Sequence, residues 1–237
     1  EMIIFLGIPA YIFIHIFLGM LLIRFLGAVH PVFRSLKAKL PVLIAFWFCV
    51  LSIFIDLAMP AGSDAKRFFR AISVHWLGIL LYSLIVIIAA FLIRFIIRKI
   101  RRLPMEHLKY TKSHAVGGSI CAAVIAAICI AGTVNAHCLH TEHYEVTVNK
   151  QAGHLTDLNI VLASDLHMGY VMGENDIQNM VDEINAQDPD IVVIAGDIFD
   201  NEYEAIRDPE RMAEILSGIK SRYGTYACYG NHDVSEK

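Results

Sequence analysis

Four stretches of this chain contain no Asp, Glu, Lys or Arg: Met2–Ile23, Leu40–Ile55, Ala71–Ile93 and Ala115–Ala136. A helix rises about 1.5 Å per residue, so roughly 20 apolar residues cross the hydrocarbon core of a bilayer. The first, third and fourth stretches have that length. The second reaches it if Asp56 sits at the interface and Leu57 to Met59 are included, with Pro41 and Pro60 suited to a helix start and end. The first stretch lacks the basic leader and small-residue cleavage site of a signal peptide and is too long for its apolar centre. Four spans are therefore expected. A composition of 56% hydrophobic and 18% charged residues agrees, and excludes a wholly soluble, disordered, collagen-like or disulfide-scaffold protein. Cys49, Cys121 and Cys129 lie in apolar runs, which leaves Cys138 and Cys228 to respond to the redox compartment.

A net charge of -3 hides two unlike halves. Up to Lys112 there are 14 Lys+Arg against 4 Asp+Glu, a net +10; beyond it there are 6 against 19, a net -13. The basic residues lie between apolar runs, which suits a membrane surface better than nucleic acid. The first loop carries Arg24, Arg34, Lys37 and Lys39, and the third carries Arg94, Arg98, Lys99, Arg101, Arg102, Lys109 and Lys112. The other side has Lys66, Arg67, Arg70 and Lys150. Eleven against four places the first and third loops in the cytoplasm, so the acidic half of this integral plasma membrane protein is expected outside the cytoplasm. Intramembrane His15, Asp56 and His75 are candidates for an ion path, but none recurs with a charged partner at helical spacing, and packing or interfacial roles are the simpler reading.

From Tyr144 the pattern alternates between strand and helix. Glu145 to Asn149 reads as a strand, and Leu158 to Ala163 as a buried one. Ile177, Met180, Val181 and Ile184 form one face of a helix, and Ile191 to Ala195 suit a strand covered on both faces. Asp208 and Pro209 start a second helix with the apolar face Met212, Ile215, Leu216 and Ile219 and an expected C′ glycine at Gly224; Thr225 to Tyr229 make a third buried strand. This β-α-β-α-β order predicts a parallel sheet layered with helices. The expected domains are residues 1–136, a four-helix anchor; 137–157, a linker and first strand; and 158–237, the amino-terminal part of an α/β domain.

Past each buried strand come polar residues: Asp165 and His167, then Gly196, Asp197 and Asp200, then Gly230, Asn231, His232 and Asp233. Ligands bind at the carboxyl ends of strands in open α/β sheets. Converging carboxylates repel unless a cation compensates them, and oxygen and imidazole donors without thiolate suit Mn, Fe, Zn or Mg.

In this order and spacing, Asp165-X-His167, Gly196-Asp197-X-X-Asp200 and Gly230-Asn231-His232-Asp233 resemble the first three blocks of the calcineurin-like metallophosphoesterases. The helical half resembles the membrane-anchored bacterial branch of that family. The resemblance implies four spans followed by part of an αββα sandwich, truncated at the carboxyl end, and a site for two divalent metal ions. It implies that Asp165 and His167 bind one metal, that Asp197 bridges both, and that Asn231 binds the second. His232 would face the substrate phosphate, oriented by Asp233, with Asp200 orienting a ligand or turn. The implied reaction is metal-dependent hydrolysis of a phosphomonoester, phosphodiester or pyrophosphate, with a lipid or cell-envelope substrate favoured by the membrane setting. The alternative is a non-catalytic membrane sensor or transport component that keeps the domain for ligand binding. The family's later His and Gly-His-X-His blocks do not occur before Lys237, so the chain is read as part of a longer protein and inactive by itself.

His137, Cys138, His140 and His143 have zinc-ligand chemistry but crowd into seven residues, which suits an exposed linker. Gly169, Tyr170 and Gly173 suit a substrate-facing loop or a plain turn. Tyr223, Tyr226, Tyr229 and Cys228 are expected in the sheet core. No nucleic-acid motif occurs, and an acidic catalytic half disfavours polyanions.

Overall fold

A computed structural model describes residues 2–102, 112–200 and 202–234, with side chains from residue 7 onward. Lys109 of the charge count lies outside the described residues. The chain forms two compact units: Glu1–Leu57 with Ile72–Thr133, and Ala58–Ala71 with Val134–Lys237.

The long helices are α1 (Met2–Val29), α2 (Leu36–Ala58), α3 (Asp64–Arg101) and α4 (Lys112–Ala136). All four are long and apolar enough to cross a membrane, as expected. Helix α2 begins before Pro41, because the Ser35 hydroxyl accepts the N–H of Ala38 at 3.4 Å and caps the helix at Leu36. Pro41 therefore lies inside α2, as does Asp56, which is buried.

In the first unit the fully buried His15 ties elements together. Its Nδ1 lies 2.7 Å from the Tyr11 carbonyl, and the Trp76 indole N–H lies 3.1 Å from its Nε2. A carbonyl only accepts and an indole N–H only donates, so His15 is neutral with its proton on Nδ1. The Tyr11 hydroxyl donates to the Val50 carbonyl at 2.9 Å, linking α1 to α2 as Trp76 links it to α3. His15 thus has a packing role.

The second unit carries β1 (Ile160–Ala163), α5 (Glu174–Ala186), β2 (Ile191–Ala195), α6 (Pro209–Ser217) and β3 (Thr225–Cys228). The sheet order is β1-β2-β3, all parallel, with Ile160 opposite Ile191 and Val192 opposite Thr225. The expected face of α5 is buried in full, and with Met212 and Ile215 of α6 it packs on Val192 and Ile194. Both helices therefore cover one face of the sheet, which corrects the expectation of strands buried on both faces. On the other face Ile160, Leu162 and Tyr226 are exposed, and every residue of β3 is exposed, including Cys228. Tyr223 and Tyr229 are exposed too, so none of these tyrosines is a core residue.

Two further corrections concern boundaries. Residues 145–149 form no strand: Tyr144, Val146 and Val148 are exposed, and no described strand lies beside them. Helix α6 starts as expected, with the Asp208 carboxylate accepting the N–H of Arg211 at 2.9 Å, but ends at Gly218. Gly224, at φ +108°, instead leads into β3, and its carbonyl accepts from Val192.

Replacing His15 by Leu removes the acceptor of the Trp76 N–H inside an apolar bundle. The expected loss is about 1 kcal/mol of helix-bundle stability. It would be read from the tryptophan fluorescence of full-length protein titrated with denaturing detergent.

Candidate metal centre

Beyond β1 and β2 the parallel pairing continues into the loops. The N–H of Asp165 donates to Gly196 O (3.2 Å), that of His167 to Asp197 O (3.0 Å), that of Met168 to Ile198 O (3.0 Å), and that of Asp200 to Met168 O (3.0 Å). The loop after β3 joins them through the His232 N–H, which donates to Asp197 Oδ1 at 2.9 Å. Gly196 is required at this meeting point: its φ is +80°, and a Cβ would lie 2.8 Å from the backbone of Gly230.

Asp165, His167 and Asp197 all have left-handed backbone, with φ of 56°, 41° and 48°. Such conformations cost on the order of 1 kcal/mol each and gather where function requires a particular side-chain direction. The Nε2 of His167 lies 3.8 Å from Asp165 Oδ1 and 3.9 Å from Asp197 Oδ2, too far for hydrogen bonds. The ligand atoms of Asp165, His167 and Asp197 lie within 4.8 Å of one another, and so do those of His167, Asp200 and His232. Donors sharing an ion at about 2.0–2.2 Å would have such spacings. The rings of His167 and His232 stand edge to face with centroids 4.8 Å apart, and the buried Nδ1 of His232 has no hydrogen-bond partner. An orphaned imidazole nitrogen and carboxylates gathered without bonds between them fit a divalent cation.

The structure thus brings five of the expected residues together: Asp165, His167, Asp197, Asp200 and His232. Asn231 is exposed on the adjoining turn. The Asp233 carboxylate accepts the N–H groups of Phe199 (2.9 Å) and Gly230 (2.7 Å), and so ties the second loop to the third. Burial opposes ionisation of Asp233, but the backbone donors at Gly230, Phe199, Ile198 and Asp197 outweigh it and hold its pKa below the usual carboxylate value.

Sequence reasoning missed a second cluster. Lys66, Arg67 and Arg70 appeared only as loop charges, yet they surround Tyr170, whose hydroxyl donates to Glu202 Oε2 at 2.8 Å. Their i, i+1, i+4 spacing marks one helical face but names no partner. His137, Cys138, His140 and His143 are all exposed, and they form none of the candidate metal groups among the described residues.

Residues 158–237 match the family described as calcineurin-like phosphoesterase, so this part of the chain is a partial metallophosphoesterase domain following four apolar helices. Over 199 residues the chain is 33% identical to a Danio rerio protein named transmembrane protein with metallophosphoesterase domain, covering 79% of this chain and 44% of that one. A Bos taurus protein of the same name is 36% identical over 89 residues, covering 38% of this chain and 19% of its own. UDP-2,3-diacylglucosamine pyrophosphatase LpxG of Chlamydia trachomatis is 33% identical over 86 residues, covering 36% and 26%. The chain spans less than half the length of these relatives. They come from animals and bacteria alike, so the likeness extends beyond a bacterial branch. No solved structure matches.

Asp233→Asn would leave one backbone N–H facing an amide NH2, at an expected cost of about 1–2 kcal/mol. The folded carboxyl ionises more readily than the unfolded one. Its contribution is therefore complete at neutral pH and is lost as the pH falls below about 4, through the lowered folded value. Thermal unfolding of full-length protein should show a large gap between wild type and variant at pH 7 that narrows on acidification.

Proposed function

We propose that the full-length protein is an integral membrane phosphoesterase that uses two divalent metal ions to hydrolyse a phosphomonoester, phosphodiester or pyrophosphate. The observation that carries this reading is the convergence of Asp165, His167, Asp197, Asp200 and His232 from loops beyond three parallel strands. Asp165 and His167 would hold one ion, Asp197 would be shared, and Asn231 would serve the second. Divalent cations at such a site supply positive charge for phosphoryl oxygens and make water more acidic. His232 contributes a ring nitrogen able to donate to the leaving oxygen, held in place by its own N–H on Asp197. Asp200, close to His167 and His232, would orient a ligand or a turn, and Asp233 keeps the second and third loops together.

A lipid or cell-envelope substrate is supported by the four apolar helices and by likeness to a relative named as a pyrophosphatase of UDP-2,3-diacylglucosamine. Loop charge favours a catalytic side outside the cytoplasm of a plasma membrane protein.

Full-length protein should hydrolyse an aryl phosphodiester only with added Mn or a similar ion, and Asp197→Ala should lower the rate at least 100-fold, an order-of-magnitude expectation for loss of a shared ligand. Hydrolysis retained by that variant, or unaffected by chelation, would remove the assignment. Orientation is tested separately at the exposed Cys138. A membrane-impermeant maleimide should label it in intact cells, and labelling only after lysis would invert the topology.

A further inference from the structure

The stretch of residues 58–71, which joins α2 to α3 and includes the first turns of α3, belongs to the second unit, where it packs against the loops that follow β1 and β2. Its Gly62 N–H donates to the Tyr170 hydroxyl at 2.9 Å, and that hydroxyl donates to Glu202. Tyr170 lies three residues past His167, and Glu202 two past Asp200. The Lys66 ammonium, buried, pairs with Glu202 at 3.1 Å. Arg67 donates to the carbonyls of Ala205 (2.6 Å) and Glu204 (3.3 Å). The guanidinium groups of Arg67 and Arg70 stand 5.4 and 5.3 Å from the Tyr170 ring centroid. Arg70, Tyr170, Asp200 and Glu202 line one cavity of about 100 Å³, so this polar cluster reaches a member of the metal-ligand group itself.

These contacts have directional consequences. A buried lysine cannot lose its carboxylate without a large desolvation cost, so Lys66 keeps Glu202 in place. The Tyr170 hydroxyl has its proton committed to Glu202 and a lone pair to Gly62, which ties the position of one loop to the other. The fit is also close. Gly62 has φ +72°, and a Cβ there would lie 2.8 Å from the Glu204 carbonyl oxygen; a Cβ at Gly169 would lie 3.1 Å from the Cβ atoms of Asp200 and Ala205.

We propose that residues 58–71, the connection from α2 together with the first turns of α3, are a working part of the metal centre: Lys66, Arg67 and Tyr170 are positioning residues that hold the loops bearing His167 and Asp200 at the spacing a divalent ion requires. The inference rests on the metallophosphoesterase reading. It assigns a function in the site to a segment that carries none of the metal ligands.

The test uses detergent-solubilised full-length protein, with Mn2+ affinity followed by electron paramagnetic resonance of the free ion and folding followed by thermal unfolding. Tyr170→Phe removes both bonds of the hydroxyl, and Gly62→Ala forces the segment away from Glu204. Tyr226→Phe is the control: it also loses a tyrosine hydroxyl bond, to the Tyr223 carbonyl, on β3 rather than in the metal-bearing loops. Both rim variants should bind Mn2+ about tenfold more weakly while the control does not, as for other residues that orient metal ligands. With excess Mn2+ both should regain kcat at unchanged KM. Folded variants with wild-type Mn2+ affinity would overturn the proposal alone, as would a raised KM that excess Mn2+ leaves uncorrected. A wild-type protein that binds no Mn2+ would overturn the metallophosphoesterase reading and this proposal with it.

Discussion

The nearness of Gly196 to Gly230 governs how closely the strand-end loops meet. With a side chain at either glycine the second and third loops would separate, and the His232 N–H would lose the Asp197 carboxylate. Asp233 secures the same junction from the other side by receiving N–H groups from both loops. Once these loops are adjacent, the left-handed turns at Asp165, His167 and Asp197 determine where the ligand atoms lie. The carboxylates and imidazoles are thus gathered by backbone contacts, with no hydrogen bonds between His167 and its neighbouring acids, and their mutual repulsion is left for a cation to relieve.

Much of this was legible in the sequence because local signals agreed with the tertiary arrangement. Ile177, Met180, Val181 and Ile184 could share a face only in a helix, and Asp208-Pro209 carries its own capping chemistry. The strand-end motifs were legible for the same reason: polar residues and glycines directly after β-branched runs mark a rim. The exposure of β3 was not, because an apolar run shows that a strand is competent for burial and not which layers cover it. The partners of Asp233 were not legible either. The family resemblance implies only that it orients His232, and nothing local in the sequence shows that a tight turn directs its carboxylate to backbone N–H groups of two loops.

Within the helical unit, polarity is used sparingly and in pairs. His15 meets one group that only donates and one that only accepts, so an imidazole resides among apolar residues without carrying charge. The charges of Lys66, Arg67 and Arg70 are used differently. Charge counting treats them as loop residues, while the structure gives each a place around Tyr170 and Glu202. A positive loop residue can therefore inform topology and also make specific tertiary contacts.

The Gly62–Tyr170 bond joins residues 108 apart in the chain, and the Arg67–Ala205 bond joins residues 138 apart. Contacts of such separation form late, because a long intervening chain must first be ordered. During synthesis residues 58–71 emerge well before Tyr170 and must wait for it, while the rest of α3 and the whole of α4 are made in between. The last steps of maturation would then be the docking of a newly made domain on a segment already delivered with the helices. Placement of the apolar helices and assembly of the strand-end loops become stages of one folding process.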